Sequence, residues 1–303
     1  MSKYIIGIDG GGTKTLGVLY DIKGNELKRS TSGFTNFNID LNKAKENMLD
    51  VLDKLTIEIK PSDELFIQMG ISGYSKIKDK IAYEDEIGNR YHATASLESD
   101  VLIALYDVKK DQEVNVIMVI GGTGSVLMYS DQYRLEQVGG FGHLLGDEGS
   151  AYHLSISALK MIISTYEDTN TYDEFSTKIL NHLNIHDQFD VRDYVYNNDK
   201  TTIANLAKFI SQIAIDGNEK AKDLINDEAK HLARQTIKAY LKLQEKDKVI
   251  IALRGGFLTN APFVKQTLIK ELEMSIKDFE INEGTDSPVK GAYYLSLLKL
   301  SKG

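Results

Sequence analysis

The chain contains no cysteine and no tryptophan, and only 3 of its 303 residues are proline. The absence of cysteine excludes disulfides, thiol nucleophiles, thiolate zinc sites and cysteine-ligated iron–sulfur clusters. No apolar run approaches the roughly 18 residues that would span a bilayer. The N-terminal residues enter a strand pattern directly and lack the long apolar stretch of a signal peptide. We therefore expect a cytoplasmic protein with no membrane partner.

Charges of both signs are spread along the chain, with 44 acidic against 36 basic residues and a net charge of −8. Nucleic acids and anionic membranes attract clustered lysine and arginine, so this pattern argues against a nucleic-acid partner. The length is sufficient for two domains of ordinary size. On charge and polarity we place their boundary near residues 110–113.

Two segments of the sequence resemble each other. Residues 5–21 read IIGIDGGGTKTLGVLYD, and residues 116–131 read VIMVIGGTGSVLMYSD. Each has a β-rich apolar run, a glycine-rich turn and a second apolar run. This pattern predicts a β-hairpin whose turn can approach a ligand closely. The approximate repeat indicates two similar halves.

Between and after the hairpins, strand and helix patterns alternate, which indicates an α/β architecture. Helices are predicted at 41–55, 101–108, 150–166 and much of 201–244, and strands at 65–71, 93–99 and 248–254. The last helix is predicted to begin at Ser287 and Pro288, a natural N-cap and a first-turn proline.

The two glycine turns are the first candidates for ligand binding. In the turn at residues 9–15 (DGGGTKT), three glycines precede a threonine, a lysine and a second threonine. Such a turn supplies amides, hydroxyls and a cation to phosphate oxygens, and Asp9 is suited to hold a hydrated Mg²⁺. One such turn is equally consistent with an ordinary hairpin. The equivalent turn at residues 121–125 (GGTGS) favours two turns that clamp a polyphosphate across a cleft.

A third glycine-rich segment, residues 139–152 (GGFGHLLGDEGSAY), has five glycines within eleven residues. So flexible a backbone is costly to order, which favours a binding loop. The carboxylates of Asp147 and Glu148 either bind sugar hydroxyls or, with Ser150, cap the following helix.

Together these three strings resemble the sugar kinases of the actin/hexokinase/heat-shock-70 ATPase superfamily. More narrowly they resemble its N-acetylglucosamine kinase branch, the BadF/BadG/BcrA/BcrD ATPase family. The resemblance implies a two-lobed, actin-like (ribonuclease H-like) α/β fold, each lobe a mixed β-sheet flanked by helices, with an interlobe cleft. The N-terminal lobe would span 1–112 and be completed by a returning helix at 288–303. The C-terminal lobe would span 113–287.

The resemblance also implies roles for individual residues. Asp100, in LESDVLIAL, matches the general base, although a helix N-cap is a compatible alternative. Contacts to ATP are implied for Gly11, Gly12, Thr13, Lys14, Gly122, Thr123, Gly124, Ser125, Gly255 and Gly256, and contacts to sugar for Asn36, Ser72, Gly73, Gly140, Phe141, Gly142 and Asp147. The roles of Glu148 and His143 stay open.

The function implied is that of an enzyme that uses ATP and Mg²⁺ to phosphorylate the 6-hydroxyl of an amino sugar. N-acetylglucosamine is the first candidate, with N-acetylmuramic acid and glucosamine as competitors, and a homodimer is expected. Phe37 and Phe141 stand where many relatives have tryptophan, which keeps a stacking face but removes an N–H donor.

Two other functions need to be weighed. The family includes ATPase activators that hold an iron–sulfur cluster on cysteines, a class that this cysteine-free chain excludes. A non-catalytic sugar sensor remains as the alternative, but such a protein is expected to lose the base or the phosphate turns. Here Asp100, Asp9 and both turns are present.

Overall fold

The computed structural model describes residues 2–110, 112–131, 135–284 and 288–302. The chain divides into two compact units, Met1–Glu113 with Thr285–Gly303, and Val114–Gly284. Each unit is built on one five-stranded mixed sheet. None of the helices in the described ranges is long and apolar enough to cross a bilayer.

The first unit has the sheet order β3-β2-β1-β4-β5. Strands β1 to β3 form an antiparallel meander, and β4 and β5 continue parallel to β1. Its strands are β1 (Lys3–Gly10), β2 (Thr15–Asp21), β3 (Glu26–Ser32), β4 (Glu64–Ile71) and β5 (Thr94–Glu98), and its first helices are α1 (Leu41–Thr56), α2 (Lys80–Tyr91) and α3 (Asp100–Lys109).

The second unit repeats this arrangement with the order β10-β9-β6-β7-β8. Again three antiparallel strands are followed by two parallel ones. Its strands are β6 (Asn115–Gly121), β7 (Ser125–Ser130), β8 (Leu135–Val138), β9 (Val249–Arg254) and β10 (Glu280–Asn282), and its helices are α4 (Ala151–Thr169), α5 (Glu174–Leu183), α6 (Gln188–Asn197), α7 (Lys200–Ile215), α8 (Glu219–Lys242), α9 (Gly256–Asn260) and α10 (Val264–Glu273). The two predicted hairpins and the repeat they indicate are therefore confirmed.

The sheet of the first unit is covered on both faces. Successive residues of a strand point to opposite sides, so Ile6 and Ile8 pack with α1 while Ile5 packs on the other face. Because both faces are buried, the strand reads as a continuous apolar run rather than an alternating one. The predicted face of α1 is confirmed, with Met48 and Leu52 fully buried in this core.

The second face of that sheet is covered by α3 and by the last helix, α11 (Val289–Lys302). Val289 and Tyr293 pack with Ile5 from β1. The predicted N-cap of this helix, Ser287, lies outside the described residues. Gly291 faces α3 so closely that an added Cβ would overlap the carbonyl oxygen of Ile103.

This contact yields a stability prediction. Gly291→Ala improves helix propensity but places a methyl group against the backbone of α3, which has no flexible end that can yield. Overpacking of this kind costs about 1–3 kcal/mol, so we expect a net loss of unfolding free energy. The measurement is the urea midpoint, with Ser301→Ala at the exposed end of the same helix as the control. An unchanged or higher midpoint for Gly291→Ala would contradict the close packing.

Candidate functional site

The turn between β1 and β2 leaves several backbone amides open. The Gly11 amide donates to the carbonyl of Lys14 at 3.2 Å, and the Thr35 amide donates to the carbonyl of Gly11 at 3.0 Å. Within the described residues, no hydrogen bond takes up the amides of Gly12, Thr13 or Lys14, and all three residues are exposed. Successive open amides form a concavity suited to an anion.

The segment around Asn36 is joined to this turn through Ser72. Asn36 and Ser72 form an isolated parallel bridge, and the Phe37 amide donates to the Ser72 carbonyl at 2.9 Å. The Ser72 amide in turn donates to the carbonyl of Gly10 at 2.9 Å. Gly73 follows at φ +74°, a conformation that favours glycine. The predicted sugar residues of this unit therefore lie beside the turn between β1 and β2.

Asp100 is the first residue of α3. The N-cap is Ser99, whose hydroxyl accepts from the Leu102 amide at 3.1 Å, so the N-cap interpretation of Asp100 is wrong. The Asp100 carboxylate accepts from the Val101 amide at 2.9 Å and forms a hydrogen bond with the Ser72 side chain. It therefore lies at the edge of the sheet where β4 and β5 end.

The electrostatics of Asp100 are those of a half-buried acid near a second acid. Burial raises the pKa of the Asp100 carboxyl above its ordinary value, because desolvation disfavours the charged form. The negative charge of Asp9 raises this pKa as well, whereas the hydrogen bonds from Val101 and Ser72 lower it in part. A raised pKa with a specific charge partner is typical of functional carboxylates.

Phe37 differs from expectation. Its side chain is buried in the core of the first unit and meets the ring of Tyr83 edge-on, with 6.2 Å between ring centroids. The predicted sugar-stacking face is therefore occupied by protein. Phe141, the other position of this kind, is exposed.

The second turn, between β6 and β7, also has open amides. The Gly122 amide donates to the Gly124 carbonyl at 2.9 Å, which closes the turn. No hydrogen bond among the described residues uses the amides of Thr123 and Gly124. The carbonyl of Thr123 accepts from the Tyr152 amide at 3.2 Å, which ties the turn to the start of α4.

A cavity of about 540 Å³ adjoins this turn. Gly122 and Thr123 line one end of it, and Gly256 at the start of α9 lines another part. Gly255 has φ +91° and lies so close to the backbone of Gly121 that a side chain could not fit. The remaining polar lining comes largely from α7, which was not predicted to take part: Asn205, Lys208, Ser211 and Gln212.

The glycine-rich loop is held at both ends by one face of α8. Glu228, only 2% exposed, accepts from the Gly149 amide at 2.7 Å, and an added Cβ at Gly139 would lie 2.6 Å from the Gln235 side chain. Leu232, between them on the same face, packs beneath Gly149. No motif in the sequence indicates this support.

The same carboxylate of Glu228 contacts a histidine of α4. Its second oxygen lies 2.7 Å from Nδ1 of His153. The hydrogen bond and the negative charge of Glu228 raise the pKa of the His153 imidazole above its ordinary value. This pair anchors the C-terminal end of the loop.

The central part of the loop projects outward. Gly140 and Gly142 have φ of +72° and +87°, and Phe141 and His143 beside them are exposed. The His143 ring meets the ring of Tyr152 edge-on at 5.1 Å. Of the predicted sugar residues, Phe141 and Gly142 are therefore exposed, whereas Gly140 is half-buried against Val126.

Asp147 occupies a different environment. It is 4% exposed at φ +67°, and its carboxylate accepts from the Ser125 amide at 3.3 Å and pairs with Lys200 at 2.5 Å. Ser150 is the N-cap of α4, which confirms one of the capping alternatives. Glu148 contributes its carbonyl, which accepts from the Ser125 hydroxyl at 2.7 Å. The predicted sugar contact of Asp147 stays a prediction.

Similarity to known proteins extends over nearly the whole chain. A model of the BadF/BadG/BcrA/BcrD ATPase family matches residues 6–293. An N-acetylmuramic acid/N-acetylglucosamine kinase of Clostridium acetobutylicum is 28% identical, with 97% of this chain and 98% of that protein covered. An N-acetyl-D-glucosamine kinase of Dictyostelium discoideum is 27% identical, with 98% and 99% covered.

Solved structures of similar fold include sugar kinases as well as a ROK family transcriptional regulator. A protein of Chromobacterium violaceum, provisionally assigned as an N-acetylglucosamine kinase, has a TM-score of 0.66 at 20% identity, with 96% of this chain and 98% of that chain covered. The ROK hexokinase of Thermus thermophilus has a TM-score of 0.59 at 12% identity, with 99% and 100% covered. These likenesses confirm the predicted actin-like fold of two mixed sheets flanked by helices.

The family match is independent of any single motif. It begins within β1 and ends within α11, so both units are included. The chain therefore belongs to the BadF/BadG/BcrA/BcrD ATPase family.

Proposed function

We propose that this protein transfers the γ-phosphoryl group of ATP to the 6-hydroxyl of an amino sugar. N-acetylglucosamine is the first candidate acceptor, followed by N-acetylmuramic acid and glucosamine. The observation that carries the proposal is the Asp100 carboxylate, which is hydrogen-bonded to Ser72 and has a raised pKa. The activities named for the two curated relatives support the same reaction.

Asp100 is the proposed general base. A sugar hydroxyl that attacks a phosphoryl group must lose its proton, and a carboxylate within hydrogen-bond reach can accept it. Burial and the nearby charge of Asp9 make this carboxylate a stronger base than an exposed aspartate. Ser72 holds the carboxylate in place while its backbone remains bonded to Gly10 and Phe37.

Acceptor recognition in the first unit is assigned to Asn36, Ser72 and Gly73. Amide and hydroxyl groups both donate and accept, which suits sugar hydroxyls and an acetamido group. On the family resemblance, Gly140, Phe141 and Gly142 of the glycine-rich loop are further proposed contacts. Movement of such a loop over the acceptor would exclude water and limit ATP hydrolysis.

Phosphate binding is assigned to the two glycine turns. In the first unit the open amides of Gly12 and Thr13 and the ammonium of Lys14 are available to phosphate oxygens, with Gly11 shaping the turn. In the second unit Gly122, Thr123, Gly124 and Ser125 form the corresponding turn. We assign the cavity of about 540 Å³ to adenosine, with Gly256 in its lining and Gly255 directly before Gly256 in the chain.

The residues present fit an Mg²⁺ ion that arrives with the nucleotide. Within the described residues, no group of three or more histidine, aspartate or glutamate side chains could hold a metal alone. Mg²⁺ in kinases is usually held by one or two carboxylates together with phosphates and waters, and Asp9 can serve as such a carboxylate. When bound, the ion neutralises charge on the phosphates.

The experiment that tests this function is a coupled ADP-release assay across a panel of amino sugars. A kinase releases ADP only when its acceptor is present, whereas a sugar sensor binds sugar without turnover. ADP release that no amino sugar stimulates would contradict the proposal. The predicted homodimer is tested separately by the mass of the protein in solution.

Removal of the base gives the second prediction. Asp100→Asn is expected to lower kcat by about 10²- to 10⁴-fold, the usual contribution of a general base, with N-acetylglucosamine binding retained. Asp40→Asn is the matched control, because Asp40 is an exposed N-cap of α1 and asparagine caps equally well. The measurements are steady-state kinetics and sugar titration by calorimetry. Normal turnover by Asp100→Asn would remove this residue from the mechanism.

The pH dependence gives the third prediction. The carboxylate must be ionised to accept a proton, so kcat/KM for N-acetylglucosamine falls as pH decreases through the Asp100 pKa. Because this pKa is raised, the loss occurs at higher pH than for an ordinary aspartate.

Ser72 variants test this assignment. The hydrogen bond from Ser72 lowers the Asp100 pKa. Ser72→Ala is therefore expected to shift the acid limb of the kcat/KM pH profile to still higher pH. Ser72→Thr retains the hydroxyl and serves as the control. If the limb of Ser72→Ala coincides with that of the wild type or moves downward, Asp100 does not control it.

A further inference from the structure

Lys200 lies against the second phosphate turn. It is the first residue of α7, and its Nζ atom is 2.5 Å from Oδ2 of Asp147. A Cβ added at Gly124 would lie 2.6 Å from the same Nζ atom. The GGTGS turn contains no cation of its own, in contrast to the first turn with Lys14. The fold supplies one here from a distant part of the sequence.

The rest of α7 connects this lysine with the cavity beside the turn. Ala204, Lys208 and Ile215 line the cavity of about 540 Å³, together with Gly122 and Thr123. Residues four apart share one side of a helix, so Lys200 lies one turn before Ala204 on the lining side. One helix face therefore connects Lys200 at the turn with the lining of the cavity.

Asp147 has the properties of a fixed counter-charge. It is 4% exposed, and a carboxylate so deeply buried requires a partner. Lys200 is that partner, while the other carboxylate oxygen accepts from the Ser125 amide of the turn. The lysine side chain itself is 32% exposed, so its ammonium can also meet a ligand.

We infer that Lys200 binds the phosphates of the nucleotide at the second turn, and that Asp147 is the positioning residue that holds it there. The inference rests on the nucleotide site of the proposed function. It also gives Asp147 a role on the nucleotide side of the reaction, beside the sugar contact that the sequence predicts. The two roles of Asp147 have different experimental consequences.

The test measures binding of adenosine, ADP and ATP by calorimetry without sugar, in the wild type and in Lys200→Met and Lys200→Arg. Loss of a charge-assisted contact to phosphate is expected to weaken the binding of ADP and ATP by about 10- to 100-fold. Adenosine has no phosphate, so its affinity stays unchanged in Lys200→Met. Lys200→Arg keeps the charge and retains most of the affinity. Lys178→Met, which removes a surface ion pair with Glu174, is the matched control.

Asp147→Asn tests the positioning role. We expect Asp147→Asn to bind ATP more weakly than the wild type. The double variant with Lys200→Met is expected to bind ATP no more weakly than Lys200→Met alone, because the two residues act through one contact. Loss of sugar binding with unchanged ATP binding would overturn the role of Asp147. If Asp147→Asn does not fold, as judged by its thermal midpoint, the comparison of adenosine with ATP in Lys200→Met decides alone.

The outcomes separate this inference from the proposed function. If Lys200→Met weakens the binding of adenosine and ATP equally, Lys200 has a merely structural role. If ATP binding is unchanged, Lys200 has no role in nucleotide binding. Either result overturns the inference while leaving the sugar-stimulated release of ADP untouched. Conversely, a protein that binds ATP through Lys200 but releases no ADP with any amino sugar would refute the kinase and retain the inference.

Discussion

The chemistry of this protein depends on backbone amides that two sheets leave unpaired at their hairpin turns. In each unit the hydrogen bonds of the antiparallel pair continue to the last residue of the strand, Gly10 opposite Thr15 and Gly121 opposite Ser125. Beyond these pairs the chain must reverse within a few residues, and glycine permits that reversal without side chains over the amides. The remaining parts of each site are attached to these turns by main-chain contacts, such as the bond from Ser72 to Gly10.

Much of this framework is visible in the sequence. Apolar runs, glycine turns and helical periodicity are local signals, and they predicted both hairpins, the α/β class and the face of α1. The resemblance of three strings added the actin-like fold and Asp100, and the structure brings Asp100 beside Ser72 and Asp9. These residues follow strand ends or turns, where sequence position and spatial position are closely related.

The support of the site could not be predicted, because it depends on packing between distant segments. Lys200, Glu228 and Gln235 stand in ordinary amphipathic helices, and nothing in their spacing marks them as partners of a glycine turn or loop. The prediction that Phe37 offers a stacking face to the sugar was wrong for a different reason. The family pattern suggested a binding face, but the ring is buried in the core, where it packs against Tyr83. Asp147 likewise faces Lys200 and the Ser125 amide, which only the fold could reveal.

The position of α11 has a consequence for biosynthesis. The second unit is one continuous stretch of chain, whereas the first unit needs Val289 and Tyr293 to cover one face of its sheet. A ribosome makes those residues only after the whole second unit. The N-terminal strands therefore emerge early but keep an apolar face uncovered until α11 has been made, while the later segment can already be folded. The first unit is thus begun before the second unit but completed after it. A chain truncated before α11 would keep that face uncovered.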